Sequence, residues 1–208
     1  MTDKLDFKKS DRAFYTGKQG RWDRLTLPEM TFLAIEGQGD PNGPAYAAAL
    51  SALYPLAYGI KFACKAEGAD FTVPPLEALW WADDPTAFTA GDRAAWHWQA
   101  MLRLPDDVTQ DRLDAARATV RAKGKTGPFD AVRLITLTEG DALQTLHLGP
   151  YTDEAPTLAE LHDQIMPEAG LTFAGPHHEI YLSDPRRAAP EKLRTILRQP
   201  VRPAAATA

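Results

Sequence analysis

Apolar positions in this chain switch between a period of two and a period of three to four residues, and they do so twice in the same order. The first series opens with a strand over Met30–Glu36, led in by Leu27-Pro28, and a glycine-rich turn from Gly37 to Gly43. A helix over Pro44–Ala66 follows, with Leu50, Leu53, Leu56, Ala57 and Ile60 at helical spacing and Gly68 beyond its end. Pro55 predicts a kink or a split in that helix, and Tyr54 and Tyr58, four apart, share a face expected to be core. Strands over Glu77–Ala82 and Ala94–Leu104 complete the series, with a turn-rich link over Asp83–Gly91 between them. Thr109 caps a connecting helix that runs to about Lys123, with Leu113, Ala116 and Val120 inward.

The second series opens with Ala131–Leu137 and Leu143–Leu148, which read as a hairpin around Glu139-Gly140-Asp141. Leu158, Leu161 and Ile165 mark a helix ended by Pro167 and Gly170. The stretch from His177 to Pro185 reads as a strand stopped by Asp184-Pro185, because proline brings no N–H to a ladder. Ile180 and Leu182 fall on one face of it, His177, Glu179 and Tyr181 on the other. A helical turn at Pro190–Leu193 and a strand over Arg194–Arg198 close the series.

The two series align through Asp84-Pro85 and Asp184-Pro185, so Trp81 matches Tyr181 and Leu79 matches Glu179. Met101-Leu102-Arg103-Leu104-Pro105 likewise resembles Ile196-Leu197-Arg198-Gln199-Pro200. A strand–helix–strand–turn–strand unit therefore occurs twice. The expected fold is α+β, two duplicated modules with a natural place for a ligand in the groove between them. The boundaries read as an extended N-terminal arm over residues 1–27, a first module over 28–105, a linking helix and loop over 106–130, a second module over 131–201 and a disordered tail over 202–208. Only one of the two matched positions in the groove carries a carboxylate, Glu179.

Composition narrows the function. Net charge is −5, from 23 basic and 28 acidic residues, which argues against nucleic-acid binding. The single cysteine, Cys64, lies in a helical apolar run and reads as core. No apolar run reaches membrane-spanning length and the polar start is no signal peptide, so a cytoplasmic protein is expected, monomeric or paired with a second copy through edge strands. His177 and His178 point to opposite faces of their strand, and no Cys pair or His-x-x-x-His spacing is present, so no metal or cofactor is expected. Four of the five tryptophans, Trp80, Trp81, Trp96 and Trp98, lie on two strands close in sequence. Such a set fits either a tryptophan-rich core or a surface for a planar aromatic molecule. A carboxylate among aromatics can attract a cation, or, with its pKa raised by desolvation, serve as a general base.

Several stretches together carry a family resemblance: Gly37-Gln38-Gly39-Asp40-Pro41, Tyr54-Pro55-Leu56-Ala57-Tyr58, Leu79-Trp80-Trp81, Trp96-His97-Trp98, Leu146-His147-Leu148-Gly149-Pro150-Tyr151, His177-His178-Glu179-Ile180-Tyr181 and Leu197-Arg198-Gln199-Pro200. With Pro28-Glu29-Met30 they resemble the GyrI-like small-molecule-binding family, and most of all its stand-alone branch. The resemblance implies tandem SHS2 modules forming a curved antiparallel sheet with helices on one side, and on the other a groove for hydrophobic, often cationic molecules around a glutamate that matches Glu179. The stand-alone branch implies hydrolysis of cyclopropanoid genotoxins. On that reading Glu179 and Tyr181 are the catalytic pair, and Phe32, Tyr58, Trp81, Trp98, Met101 and His177 contact the ligand. The alternative is a non-catalytic protein that sequesters aromatic cations.

Overall fold

The computed structural model describes residues 4–205. Their α+β fold divides into two compact units: one takes residues up to Asp11 together with Met30–Leu137, the other Arg12–Glu29 and Thr138 onward. Two long strands, β1 (Asp23–Gln38) and β4 (Arg133–Leu148), each contribute one segment to each unit.

In the first unit, β3 (His97–Arg103) is paired antiparallel on both edges. One edge takes β1, with Phe32 opposite Arg103 and Gly37 opposite Trp98. The other takes β2 (Glu77–Trp81), with Trp80 opposite Trp98 and Trp81 opposite His97. Helices α2 (Pro44–Ala66) and α4 (Gln110–Ala122) pack together, and Ala116 lies 3.3 Å from where a Cβ on Gly59 would stand. Leu113, Ala116 and Val120 are buried as their spacing predicts. Phe7, in the short helix α1 (Phe7–Ser10), lies 4.4 Å beneath the Arg103 guanidinium, which pairs with Asp11 at 2.6 Å.

Gly37 is a packing requirement of this unit. A Cβ built there would overlap the ring of Trp98, which is only 2% exposed. Gly37→Ala is expected to cost about 1–3 kcal/mol through overpacking, read as a lower urea midpoint at unchanged slope.

In the second unit, β7 (Arg194–Pro203) is the central strand. It pairs antiparallel with β4, Leu146 opposite Ile196, and on its other edge with β6 (His177–Tyr181), Ile180 opposite Ile196. Further along that edge it pairs with β5 (Leu171–Phe173), Leu171 opposite Pro203. A helical segment precedes these strands: α5 (Ala155–Glu160), a π-helical turn (Leu161–Ile165) and α6 (Met166–Glu168). Pro167 accounts for the irregularity, since it has no N–H to return and its ring crowds the carbonyl four residues back. The Met166 N–H accordingly reaches back to Leu161. Leu161 and Met166 form a core with Leu143, Leu171 and Val201, joined by Trp22 and Ile165.

Several expectations are corrected. The hairpin around Glu139-Gly140-Asp141 is one unbroken 16-residue strand, in which Gly140, at φ +65°, makes an irregularity instead of a turn. Pro55 does not split α2, which runs 23 residues. The arm is not extended: Phe7–Ser10 is helical and Arg12–Tyr15 forms a 3₁₀ turn. The first strand begins at Asp23, with Pro28 exposed inside it. The link after Pro85 contains a helical turn, α3 (Thr86–Ala90). The last strand runs on to Pro203, and the expected tail beyond residue 205 lies outside the described residues. By length and composition α2 is apolar enough to cross a membrane. In this structure it packs on α4 and buries nine residues, including Leu53, Leu56, Ala57 and Ile60.

Candidate active site

The alternation of β6 sorts its side chains onto two faces with different chemistry. His178 and Ile180 are fully buried on one face, and His177, Glu179 and Tyr181 are partly buried on the other.

On the first face, His178 Nδ1 lies 2.9 Å from Glu139 Oε1, and Arg198 Nη1 donates to Glu139 Oε2 at 2.9 Å. Arg198 Nε donates to Gln144 at 2.9 Å and Nη2 to the Phe14 carbonyl at 2.7 Å. Gln144 in turn donates to the carbonyls of Ala13 and Thr16. Burial would push the Glu139 carboxyl up, but the charges and hydrogen bonds of His178 and Arg198 outweigh it and hold it at about 2. These residues anchor the strand, and their connection was not seen from sequence.

On the second face, side chains opposite each other on neighbouring strands point the same way, so Thr195, across from Tyr181, shares the face of Glu179. This face looks toward the residues leading into the helical segment. The Tyr151 ring stands edge-on to Tyr181 at 5.6 Å, and Glu154 lies close enough for its carboxyl to feel the charge of Glu179. His147, opposite Thr195 on β4, is turned to the Pro150 carbonyl at 3.1 Å and so helps hold this entry turn.

Glu179 is 14% exposed at its side chain. Burial raises its pKa above the ordinary glutamate range, against a hydrogen bond from the Tyr181 hydroxyl and the charge of His178, which lower it. Glu154 is also raised, first by burial and then by Glu179. The Thr195 hydroxyl offsets a little of that without reaching hydrogen-bond geometry. His177 Nε2 lies 3.6 Å from Glu179 Oε1, but burial pushes its imidazole down to about 3. The contact is therefore one between a neutral ring and a carboxyl group, not an ion pair. Neither nitrogen of His177 has a hydrogen-bond partner among the described residues. Tyr151 is raised to about 12 by burial and the nearby carboxylates, so it stays a phenol. The group as a whole can position a water or a polar ligand atom beside a carboxylate, with phenol and imidazole as neutral donors. Among the described residues no cluster of three or more His, Cys, Asp or Glu is arranged to hold a metal ion.

The structure thus brings Glu179, Tyr181 and His177 together. The remaining expected contact residues lie in the first unit. Phe32 and Met101 are fully buried and Trp98 nearly so, in a core where Tyr46 meets the Trp98 ring edge-on at 4.9 Å. Trp81 is partly buried and stacked on His97 at 5.6 Å. Tyr58 is 46% exposed beside Phe62 on α2, not in the core where its spacing put it. Sequence reasoning missed Tyr151 and Glu154. The available signal was a glutamate directly before Ala-Pro at a helix start, where Asp, Ser or Thr is the ordinary cap.

A family model described as the GyrI-like small molecule binding domain matches residues 24–202. An uncharacterized conserved protein from Listeria innocua is 43% identical, with a TM-score of 0.89, over 96% of this chain and 100% of that one. A hydrolase from Listeria innocua is 42% identical, with a TM-score of 0.84, over the same shares. The EcmrR C-terminal domain shares the fold at 12% identity and a TM-score of 0.57, over 88% of this chain and 98% of that one. No curated protein matches.

Proposed function

Because this chain belongs to the family of GyrI-like small-molecule binding domains, we propose that it binds a planar hydrophobic molecule and adds water to it, with Glu179 as the base. In its finer form the substrate is a cyclopropane ring activated by a conjugated dienone, and the role is cytoplasmic detoxification. The observation that carries this reading is the setting of Glu179. It is a largely enclosed carboxyl with a raised pKa, held by the Tyr181 hydroxyl and lying 3.6 Å from a neutral imidazole with unpartnered nitrogens. A base tuned upward toward neutrality takes a proton from water more readily than an ordinary carboxylate does. The 42% identical relative from Listeria innocua that is called a hydrolase supports an enzymatic reading.

In the proposed reaction, water attacks the unhindered cyclopropane carbon as Glu179 takes its proton. The carbon–oxygen bond forms, the strained carbon–carbon bond breaks, and the electron pair moves into the dienone to give a phenolate. A neutral donor then protonates that oxygen. Release of strain and gain of aromaticity drive the step, so positioning and one base suffice. The test is incubation with a cyclopropanoid alkylating agent, followed by mass spectrometry. The expected product has gained one water.

The second reading is binding without chemistry, in which the Glu179 charge and the rings of Tyr151 and Tyr181 hold an aromatic cation. It is favoured if the compound quenches tryptophan fluorescence and is recovered unchanged. Glu179→Gln should then weaken cations more than neutral ligands of the same shape, and equal losses would count against it.

A further inference from the structure

The reaction as drawn needs a proton at the oxygen that becomes the phenol, and the obvious donor is already engaged: Tyr181 hydrogen-bonds Glu179. Glu154 has no such engagement. It is 5% exposed, and its Oε1 has no hydrogen-bond partner among the described residues. It occupies the cap position of α5, yet its side chain does not cap the helix. Its backbone is pinned on both sides, the N–H to the Tyr151 carbonyl at 3.3 Å and the carbonyl to the Leu158 N–H at 3.0 Å. The carboxyl lies near enough to Thr195 and Glu179 for both to act on it. Such a group, enclosed beside a second carboxyl and without a cation to pair it, holds its proton.

We propose that Glu154 is the acid partner of Glu179: the two carboxyls share one proton, which Glu154 carries at rest and delivers to the oxygen released by ring opening. This rests on the hydrolase reading of the same site. The balance closes. Glu179 gains the proton of the attacking water, Glu154 gives its own to the phenolate, and transfer from Glu179 to Glu154 restores the resting pair. The surrounding groups leave that assignment intact. Tyr151 remains a phenol, and His177 and His162 are both shifted toward the neutral form by burial. His147 is turned to the Pro150 carbonyl. His178, on the opposite face of β6, lowers Glu179 and so favours charge on Glu179 over Glu154.

The experiment pairs infrared spectroscopy of the resting protein with kinetics on wild type, Glu154→Gln, Glu154→Asp and Glu179→Gln. The carbonyl band of a protonated carboxylic acid, read at mildly alkaline pH where Glu179 is ionised, is expected in wild type and Glu179→Gln, and is expected to vanish in Glu154→Gln. Turnover in Glu154→Gln should fall by roughly 100-fold or more, with ligand-induced fluorescence quenching kept. The alkaline limb of the wild-type pH–rate profile should disappear with it, and Glu154→Asp should recover part of the rate. A band that survives Glu154→Gln, wild-type turnover in that variant, or an unchanged alkaline limb would overturn the proposal. If wild type adds no water to the probe, the hydrolase reading fails and the acid role falls with it. The infrared band then still decides, separately, whether Glu154 holds the shared proton.

Discussion

Glu179→Gln is expected to lose turnover by roughly 100- to 10,000-fold while keeping ligand affinity for a neutral substrate. The amide matches the carboxyl in shape and can still accept from Tyr181, so the surface offered to the ligand changes little. It cannot take a proton from water. In wild type the rate should fall as pH drops through a value above the ordinary glutamate range, because only ionised Glu179 is a base and burial raises its pKa. The same shift has a consequence for stability, with its sign fixed by linkage. A carboxyl whose folded pKa lies above its unfolded value favours the folded state while protonated, and that contribution is lost as pH rises through the folded value. Both carboxyls are raised. Glu179→Gln and Glu154→Gln should therefore melt above wild type at alkaline pH, while the same comparison in acid shows little difference. Thermal unfolding across the pH range checks this independently of any substrate.

Glu139→Ala is expected to cost about 3–5 kcal/mol of stability, the usual consequence of leaving buried charge without its partner. The Arg198 side chain is 2% exposed and that of Glu139 1% exposed, so water cannot readily replace the lost carboxylate. Loss of Glu139 also removes the nearer partner of His178 Nδ1, one residue before the candidate base. Loss of Arg198 itself would further release the contact with the Phe14 carbonyl. Here linkage runs the other way. The Glu139 carboxyl is held at about 2 in the folded state, below its ordinary value of 4.5. Its contribution is fully present above that ordinary value and is lost as pH falls toward about 2. Wild type should lose stability steeply over that acid range, and Glu139→Ala should show a flatter dependence from a lower start. Urea unfolding at neutral and acid pH measures both.

The strand-and-helix order was legible because each element carries its own local pattern. The β6 alternation placed His177, Glu179 and Tyr181 on one face and His178 on the other, as found. Irregular backbone misled where one residue type serves two purposes. Glu139-Gly140-Asp141 has turn chemistry, yet Gly140 only perturbs a continuous strand, because its left-handed φ is local and pairing with β7 begins at Ala142. Pro55 is a helix breaker in isolation, but the packed face of α2 carries the helix through it. The buried Glu139–His178–Arg198 set is out of reach of local pattern, since its members lie 39 and 59 residues from Glu139 and none is unusual where it stands. The tryptophans show the limit of composition. Trp98 was expected to meet ligand and is core, wedged across Gly37, while Trp81, next to Trp80 in sequence, is only partly buried.

In the proposed reaction Glu179 makes water the nucleophile. A single turnover of a cyclopropanoid substrate in heavy-oxygen water tests it most directly, with product and intact protein both weighed and Glu179→Gln run beside wild type. Label is expected in the product on the first turnover, with no mass gained by the protein and no product from the variant on the same timescale. Label in the Glu179 carboxyl, or labelled product formed equally fast by Glu179→Gln, would contradict it.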